Sequence, residues 1–96
     1  MEWNEESINK MKECGKCGMS YKEIAIIFSL PLPVVRKEFE EEQGEIYTYY
    51  MQGRLQQELT LRQIIAEAAA HGSTPSQNKL FELYKRTDDI HRDLQL

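Results

Sequence analysis

The chain has 96 residues, 41% hydrophobic and 29% charged, which is the composition of a folded globular protein and excludes a disordered or fibrous one. Twelve basic residues are outnumbered by 16 acidic ones. The net charge of −4 argues against tight DNA binding by a single copy, because phosphate neutralisation supplies most of that affinity. The longest apolar run, residues 24–28, is too short to span a bilayer, and the acidic first residues, which lack an apolar segment, predict no signal peptide. We therefore expect a cytoplasmic protein without a membrane segment.

The amino-terminal half predicts three short helices. The first covers residues 5–14 and begins after Asn4, a residue type that caps helices well. The second follows residues 20–23, whose S-x-x-E spacing is that of a capping box. The third opens near Leu32, with a proline in its first turn where proline is tolerated, and ends at Gly44.

The carboxy-terminal half predicts two more helices. Residues 45–70 contain no proline and have apolar residues on neighbouring helical faces, which indicates one long helix. The last helix is capped by Ser73 or Thr74 and has Pro75 at its first position, while the polar segment after Arg86 is expected to fray. Strand signals are nearly absent: residues 46–50 are the one β-prone segment, and they lead into the long helical pattern, so the expected fold class is all-α.

Residues 20–39 have the pattern of a helix-turn-helix motif. Ala25 is small enough for two helices to cross closely, and Ser29 occupies a turn position that often holds glycine. We expect the apolar residues of the pattern to be buried: Ile24, Ala25, Phe28, Leu30, Val35 and Phe39. Their burial leaves one side of the third helix projecting outward, and that side consists of Leu32, Pro33, Arg36, Lys37 and Glu40.

Five residues of this motif are candidates for contact with double-stranded DNA: Tyr21, Lys22, Pro33, Arg36 and Lys37. Arg36 and Lys37 can reach base edges or phosphates from the third helix, and the start of the second helix can meet a phosphate through Tyr21 and Lys22. The alternative is a set of packed helices that contacts proteins, with both cations merely solvated. The acidic residues 40–42 favour that alternative.

Cys14 and Cys17 have the C-x-x-C-G spacing of a zinc knuckle. A structural zinc needs four ligands, and the only histidines, His71 and His91, are far away in sequence. We interpret the pair as reduced cysteines at a helix end, with metal binding between subunits as the alternative. No nucleophilic triad and no phosphate-binding glycine loop is present, so we expect neither an enzyme nor a cofactor or metal within one chain.

The long helix predicts a homo-oligomer, because an amphipathic helix that cannot fold back on its own chain must bury its apolar side on another. Glycine inside a helix costs about 1 kcal/mol relative to alanine, so Gly53 is expected to mark a close approach of two backbones. The expected interface residues are Tyr50, Gly53, Leu61, Ile64 and Ala68. The predicted organisation is a helix-turn-helix domain over residues 1–43 and an oligomerising helical hairpin over residues 44–96.

Several stretches resemble the small terminase subunits of tailed bacteriophages and prophages, and their homeodomain-like helix-turn-helix relatives. Residues 18–25, GMSYKEIA, are similar to the start of the family's helix-turn-helix. Residues 50–54 (YMQGR), 61–64 (LRQI) and 69–73 (AAHGS) are similar to a stretch of small phage DNA-packaging proteins. Together the resemblance covers about residues 5–86.

The resemblance implies that an oligomer, such as a ring, recognises viral DNA and hands it to a large motor subunit. Carried onto this sequence, it implies that Tyr21, Lys22, Arg36 and Lys37 face DNA, while residues 45–71 build the oligomer. The alternative function is that of a transcription regulator or a protein-interaction adaptor of phage or mobile-element origin.

Overall fold

The computed structural model describes residues 2–95, and within them it contains five α-helices, one short 3-10 helix and no strand. The α-helices are α1 (Glu5–Lys16), α2 (Tyr21–Ile27), α3 (Leu32–Glu41), α4 (Glu45–Ala70) and α5 (Thr74–His91), and the 3-10 helix covers Arg92–Gln95. The predicted all-α class is confirmed, with three short helices followed by a long one and a last one. No helix in the described part of the chain has both the length and the apolar character needed to cross a membrane.

Local side-chain caps set three of the helix starts. The Asn4 side chain accepts a hydrogen bond from the Ser7 amide at 2.8 Å, and the Ser7 hydroxyl accepts one from the Asn4 amide. Ser20 and Glu23 form the same reciprocal capping box. The Ser73 hydroxyl caps α5. All three N-caps lie where the sequence predicts them, because each satisfies amides that the first turn leaves without a partner.

Two helices are longer than predicted. α1 continues past Cys14 to Lys16 because Gly15 does not end it; Gly15 is buried inside the helix. α5 continues past Arg86 to His91, and the segment that was expected to fray is helical. No glycine or proline follows Pro75 in the sequence, so nothing interrupts the backbone hydrogen bonds of α5.

The chain divides into two compact units, Met1–Glu58 and Leu59–Leu96. The boundary therefore lies inside α4, whereas the sequence analysis placed it after residue 43. The physical reason is that the start of α4 completes the core of the first unit, where Ile46 and Tyr50 are buried.

The core of the first unit draws on all four of its helices. Its buried residues are Met11, Cys14, Ile24, Ala25, Val35, Ile46 and Tyr50. Of the six residues expected to be buried in the motif, Phe28, Leu30 and Phe39 are only partly buried and pack around this core. Met11, Cys14, Ile46 and Tyr50 come from outside the motif, so helices α1 and α4 supply more than half of the buried residues of this core.

Gly53 marks a close approach, but inside one chain. A side chain on Gly53 would overlap the backbone of Lys12 in α1, and one on Gly15 would overlap the backbone of Tyr50 in α4. The two glycines therefore let α1 and α4 pack backbone to backbone. Tyr50 is also occupied, since its hydroxyl donates a hydrogen bond to the carbonyl oxygen of Met19 at 2.8 Å. Gly53 and Tyr50 are therefore packed against their own chain, and we no longer expect them to contact a second subunit.

The second unit is a helical hairpin made of the end of α4, a turn at Gly72 and α5. The Gln77 side chain donates a hydrogen bond to the carbonyl oxygen of Ala69 at 3.0 Å and ties the two helices together. Among its described residues only Ala69 and Leu83 are buried hydrophobics. Seven large apolar side chains of its described residues are at least half exposed: Leu59, Leu61, Ile64, Phe81, Tyr84, Ile90 and Leu94.

Candidate nucleic-acid interface

A tight turn joins α2 to α3 where the sequence predicts it. Ser29 has φ +53°, a left-handed conformation, which explains why this position resembles one that often holds glycine. The Leu30 amide donates to the carbonyl oxygen of Ala25 at 2.9 Å, and the Ser29 amide donates to that of Ile26 at 3.2 Å. These bonds end α2 and fix the direction in which α3 begins.

One face of α3 is turned away from the core. Val35 is completely buried, so the side chains on the opposite side of the helix must project outward. Pro33, Arg36, Lys37 and Glu40 are all exposed, and their i, i+3, i+4, i+7 spacing places them on one face. We call these four residues the outer face of α3. Three of the five predicted DNA-contact residues lie on it.

The other two predicted residues, Tyr21 and Lys22, begin α2. Tyr21 is half-buried and packs against the core, while Lys22 is exposed. Tyr21 is also close enough to Arg36 to interact with it electrostatically. The start of α2 and the outer face of α3 are therefore neighbours, although they are separated in sequence.

Arg36 is held by Glu40 one turn further along α3. Its Nε donates to the Glu40 Oε1 at 2.8 Å, and each side chain is 62% exposed. This hydrogen bond and the charge of Glu40 raise the pKa of Arg36 above its ordinary value, so the guanidinium stays protonated. Because the ion pair is exposed, it contributes little to stability and another anion can compete for Arg36.

A neighbouring glutamate of α3 serves the fold. The Glu38 Oε1 accepts hydrogen bonds from the amides of Ile46, at 2.9 Å, and Tyr47, at 3.3 Å, and so caps the start of α4. Gly44 lies against this carboxylate, where a larger residue would overlap it. The sequence analysis missed this cap, because the carboxylate lies eight residues before the first amide that it binds and no local pattern marks it.

An apolar groove adjoins the start of α3. It has a volume of about 330 Å³ and is lined by Lys22, Ala25, Ile26, Leu30 and Leu32. Ile26 is 80% exposed and Leu32 is 42% exposed. The sequence analysis placed Leu32 on the projecting side but gave Ile26 no role. Helical spacing identifies it, since residues 24, 25 and 28 face inward and residue 26 lies opposite them.

The two cysteines have different surroundings. Cys14 is buried in the core, and burial raises the pKa of its thiol above the ordinary value. Cys17 is exposed at the end of α1. No group of three or more His, Cys, Asp and Glu side chains in residues 2–95 is close enough to hold a metal ion.

The remaining predicted interface residues lie on the hairpin. Leu61 is 50% exposed and Ile64 is 57% exposed, whereas Ala68 is half-buried. The hairpin also has a groove of about 550 Å³ between α4 and α5, whose apolar lining includes Leu80 and Leu83. Large apolar side chains and an apolar groove thus lie on the same small unit.

No family model, curated protein or solved structure matches the chain. What the protein does is therefore inferred from the residues described above.

Proposed function

We propose that this protein binds double-stranded DNA with α2 and α3 arranged as a helix-turn-helix, and that it does so as a homo-oligomer. The observation that carries the proposal is the outer face of α3, where Arg36 and Lys37 project from a helix whose opposite side is anchored by the buried Val35. A helix held in this way can enter the major groove with its cations toward the DNA.

Each candidate residue has a defined part in this interaction. Arg36 and Lys37 reach base edges or phosphates, and Lys22 at the start of α2 contacts a phosphate. Tyr21 is partly buried, so it positions the start of α2 and offers its edge to the DNA backbone. Pro33 lies one turn before Arg36 and brings the helix backbone close to the groove.

Several copies are needed for useful affinity. A single outer face offers only a few phosphate contacts, and such binding is in the range of about 10⁻⁴ to 10⁻⁶ M at physiological salt. When copies are joined, each further contact becomes intramolecular and the combined affinity rises steeply. The exposed Leu61 and Ile64 of the hairpin supply a surface on which copies can associate.

Charge supports this division of work between the two units. Residues 59–96 contain five basic and five acidic residues, a net charge of zero, while residues 1–58 contain seven basic and eleven acidic ones, a net charge of −4. Hairpins of different copies therefore meet without net repulsion, whereas the first units repel each other. Association through the hairpins is the arrangement that charge favours.

The resemblance to small terminase subunits extends the proposal to the recognition and packaging of viral DNA. In that role the oligomer gathers several outer faces on one duplex and passes the DNA to a large motor subunit.

A second candidate function, that of a regulator or protein-interaction adaptor, is favoured by one specific observation. Arg36 already has a carboxylate partner in Glu40, and Glu41 and Glu42 follow directly. A helix whose main cation is paired and whose end is acidic suits a basic protein surface as well as it suits DNA.

The test reverses the charge of the outer face. Arg36→Glu combined with Lys37→Glu should weaken binding to a mixed-sequence duplex of about 30 base pairs by about a hundredfold or more in fluorescence anisotropy. The unmutated protein should also lose affinity steeply as salt rises. Both changes are on exposed side chains, so circular dichroism and solution mass should stay as in the parent.

The matched control is Lys16→Glu with Arg54→Glu, which changes the net charge equally at exposed positions of the first unit. We expect this variant to bind DNA within about threefold of the parent, because neither residue is one of the proposed contacts and the hairpin is unchanged. If the α3 variant binds as tightly as the parent, the outer face does not contact DNA and the adaptor function is favoured.

A further inference from the structure

The apolar groove beside α3 is not used by the fold. Ile26 exposes 80% of its surface in the middle of a well-packed unit, and Leu32 exposes 42% at the first position of α3. Both line the groove together with Ala25 and Leu30. Two exposed apolar side chains that share one groove are a candidate surface for contact with another molecule.

The charges around the groove indicate what that molecule is. Lys22 is the one charged residue among those that line it, and no acidic residue does. Arg36 lies one turn along α3 from Leu32, on the exposed side of the helix. Lys22, and Arg36 when it exchanges its exposed pair with Glu40 for another anion, thus favour an occupant that places an apolar group at Ile26 and Leu32 and carries negative charge beside them.

Thymine in duplex DNA has this combination. Its 5-methyl group is the one apolar group that a base edge displays in the major groove, and phosphates flank it on both sides. The first residues of the second helix of a helix-turn-helix are those that approach base edges, and Leu32 is the first residue of α3.

We propose that Leu32 and Ile26 form a receptor for thymine methyl groups and so give the protein a preference for thymine at the bases beneath the start of α3. The proposal rests on the DNA-binding function proposed above and adds a specificity-determining pair to it. Arg36, Lys37 and Lys22 supply affinity through phosphates and base edges, whereas Leu32 and Ile26 discriminate by apolar contact.

The experiment removes the methyl groups and nothing else. Two duplexes of the same mixed sequence are compared, one natural and one in which every thymine is replaced by deoxyuridine, which keeps the Watson–Crick hydrogen bonds. The unmutated protein should bind the natural duplex about threefold to tenfold more tightly in fluorescence anisotropy, as expected for the burial of one or two methyl groups. This comparison needs no variant.

The double variant Leu32→Ala with Ile26→Ala should bind both duplexes equally. Val34→Ala is the matched control, because Val34 is a 48% exposed apolar residue of α3 that does not line the groove. It should keep the preference for the natural duplex.

The outcomes separate the two proposals. Equal binding of both duplexes by the unmutated protein overturns the methyl receptor and leaves DNA binding in place. Binding of neither duplex overturns both proposals. If the double variant loses solution mass in light scattering, the groove is a contact between subunits and the methyl receptor is wrong.

Discussion

The two units of the chain use their apolar residues differently. The first unit buries Met11, Ile24 and Val35 completely and surrounds them with aromatic side chains, whereas the described part of the second unit buries only Ala69 and Leu83. Because the first unit has its own core, the few large apolar residues that it exposes can be identified individually as candidates for contact with a partner. A hairpin that buries so few apolar residues is the part of the chain that we expect to associate with another copy.

The aromatic residues illustrate the first case. Trp3 and Tyr49 meet edge to face with ring centroids 4.9 Å apart, and Phe39 meets Tyr50 in the same way at 5.0 Å. These contacts fasten α4 to α3 and to the start of the chain. The tyrosines at the start of α4 are therefore packing residues of the first unit.

The largest expected effect is that of Gly53→Leu. The new side chain would overlap the backbone of Lys12, which cannot move without separating α1 from α4. We expect the free energy of unfolding to fall by about 3 kcal/mol or more, measured by chemical denaturation. Ala70→Leu, at an exposed position of the same helix, is the control and should change it by less than about 0.5 kcal/mol. A decrease below about 1 kcal/mol for Gly53→Leu would contradict the close packing of α1 on α4.

Met11→Ala tests the core of the first unit. Met11 is completely buried, so its truncation should lower the free energy of unfolding by about 2–5 kcal/mol. Because this core lies within one chain, the decrease in the free energy of unfolding of the first unit should not depend on protein concentration. A loss that varies with concentration would mean that the core is shared between chains.

Leu61→Glu with Ile64→Glu tests the hairpin surface. Two carboxylates on the exposed apolar side of α4 should prevent association, because each would have to be buried without a partner. Light scattering should show the mass fall toward the 11.3 kDa of one chain. DNA affinity should fall with it, since each copy then binds alone.

Val34→Glu is the control for that variant, since Val34 is similarly exposed but belongs to the first unit. It should keep the parent's solution mass. An unchanged mass in the Leu61 and Ile64 variant would place the subunit contact elsewhere.

Glu40→Gln is expected to have a smaller effect, in the opposite direction. It removes the carboxylate that holds Arg36 at 2.8 Å and takes one negative charge from the outer face. DNA affinity should increase about twofold to fivefold at low salt and less at high salt, because the pair is exposed and screened. Glu82→Gln on α5, also exposed, should leave affinity unchanged. Weaker binding by Glu40→Gln would mean that Glu40 itself contacts the partner.

The smallest expected effect is a difference in reactivity between the two cysteine thiols. Burial raises the pKa of Cys14 and therefore lowers its thiolate fraction at neutral pH, while Cys17 is exposed. Iodoacetamide should label one thiol of the folded protein, and peptide mapping should identify it as Cys17. Cys14 should react only after denaturation. Equal labelling of both in the folded protein would contradict the burial of Cys14.

Features set by neighbouring residues could be predicted from the sequence. The caps at Asn4 and Ser20, the turn at Ser29 and the projection of Arg36 and Lys37 all follow from local spacing, because each depends on residues within one or two helical turns. That Gly53 allows a close approach of two backbones could also be predicted, because glycine inside a helix is otherwise unfavourable.

Contacts between distant segments could not be predicted. The partner of Gly53 is α1, about forty residues earlier, and no periodicity in α4 distinguishes that contact from one with a second chain. For the same reason Tyr50 was assigned to the interface although its hydroxyl binds the carbonyl oxygen of Met19. The groove at Ile26 could not be predicted either, because its lining residues come from α2, the turn and the first residue of α3 and are adjacent only in the folded chain.

Light scattering of the unmutated protein, alone and with a duplex of about 30 base pairs, tests the central claim most directly. The free protein at micromolar concentration should have a mass of at least twice the 11.3 kDa of one chain, and the complex should contain several copies on each duplex. A strictly monomeric protein whose mass does not change when the duplex is added would contradict both the association through the hairpin and the DNA-binding face of α3.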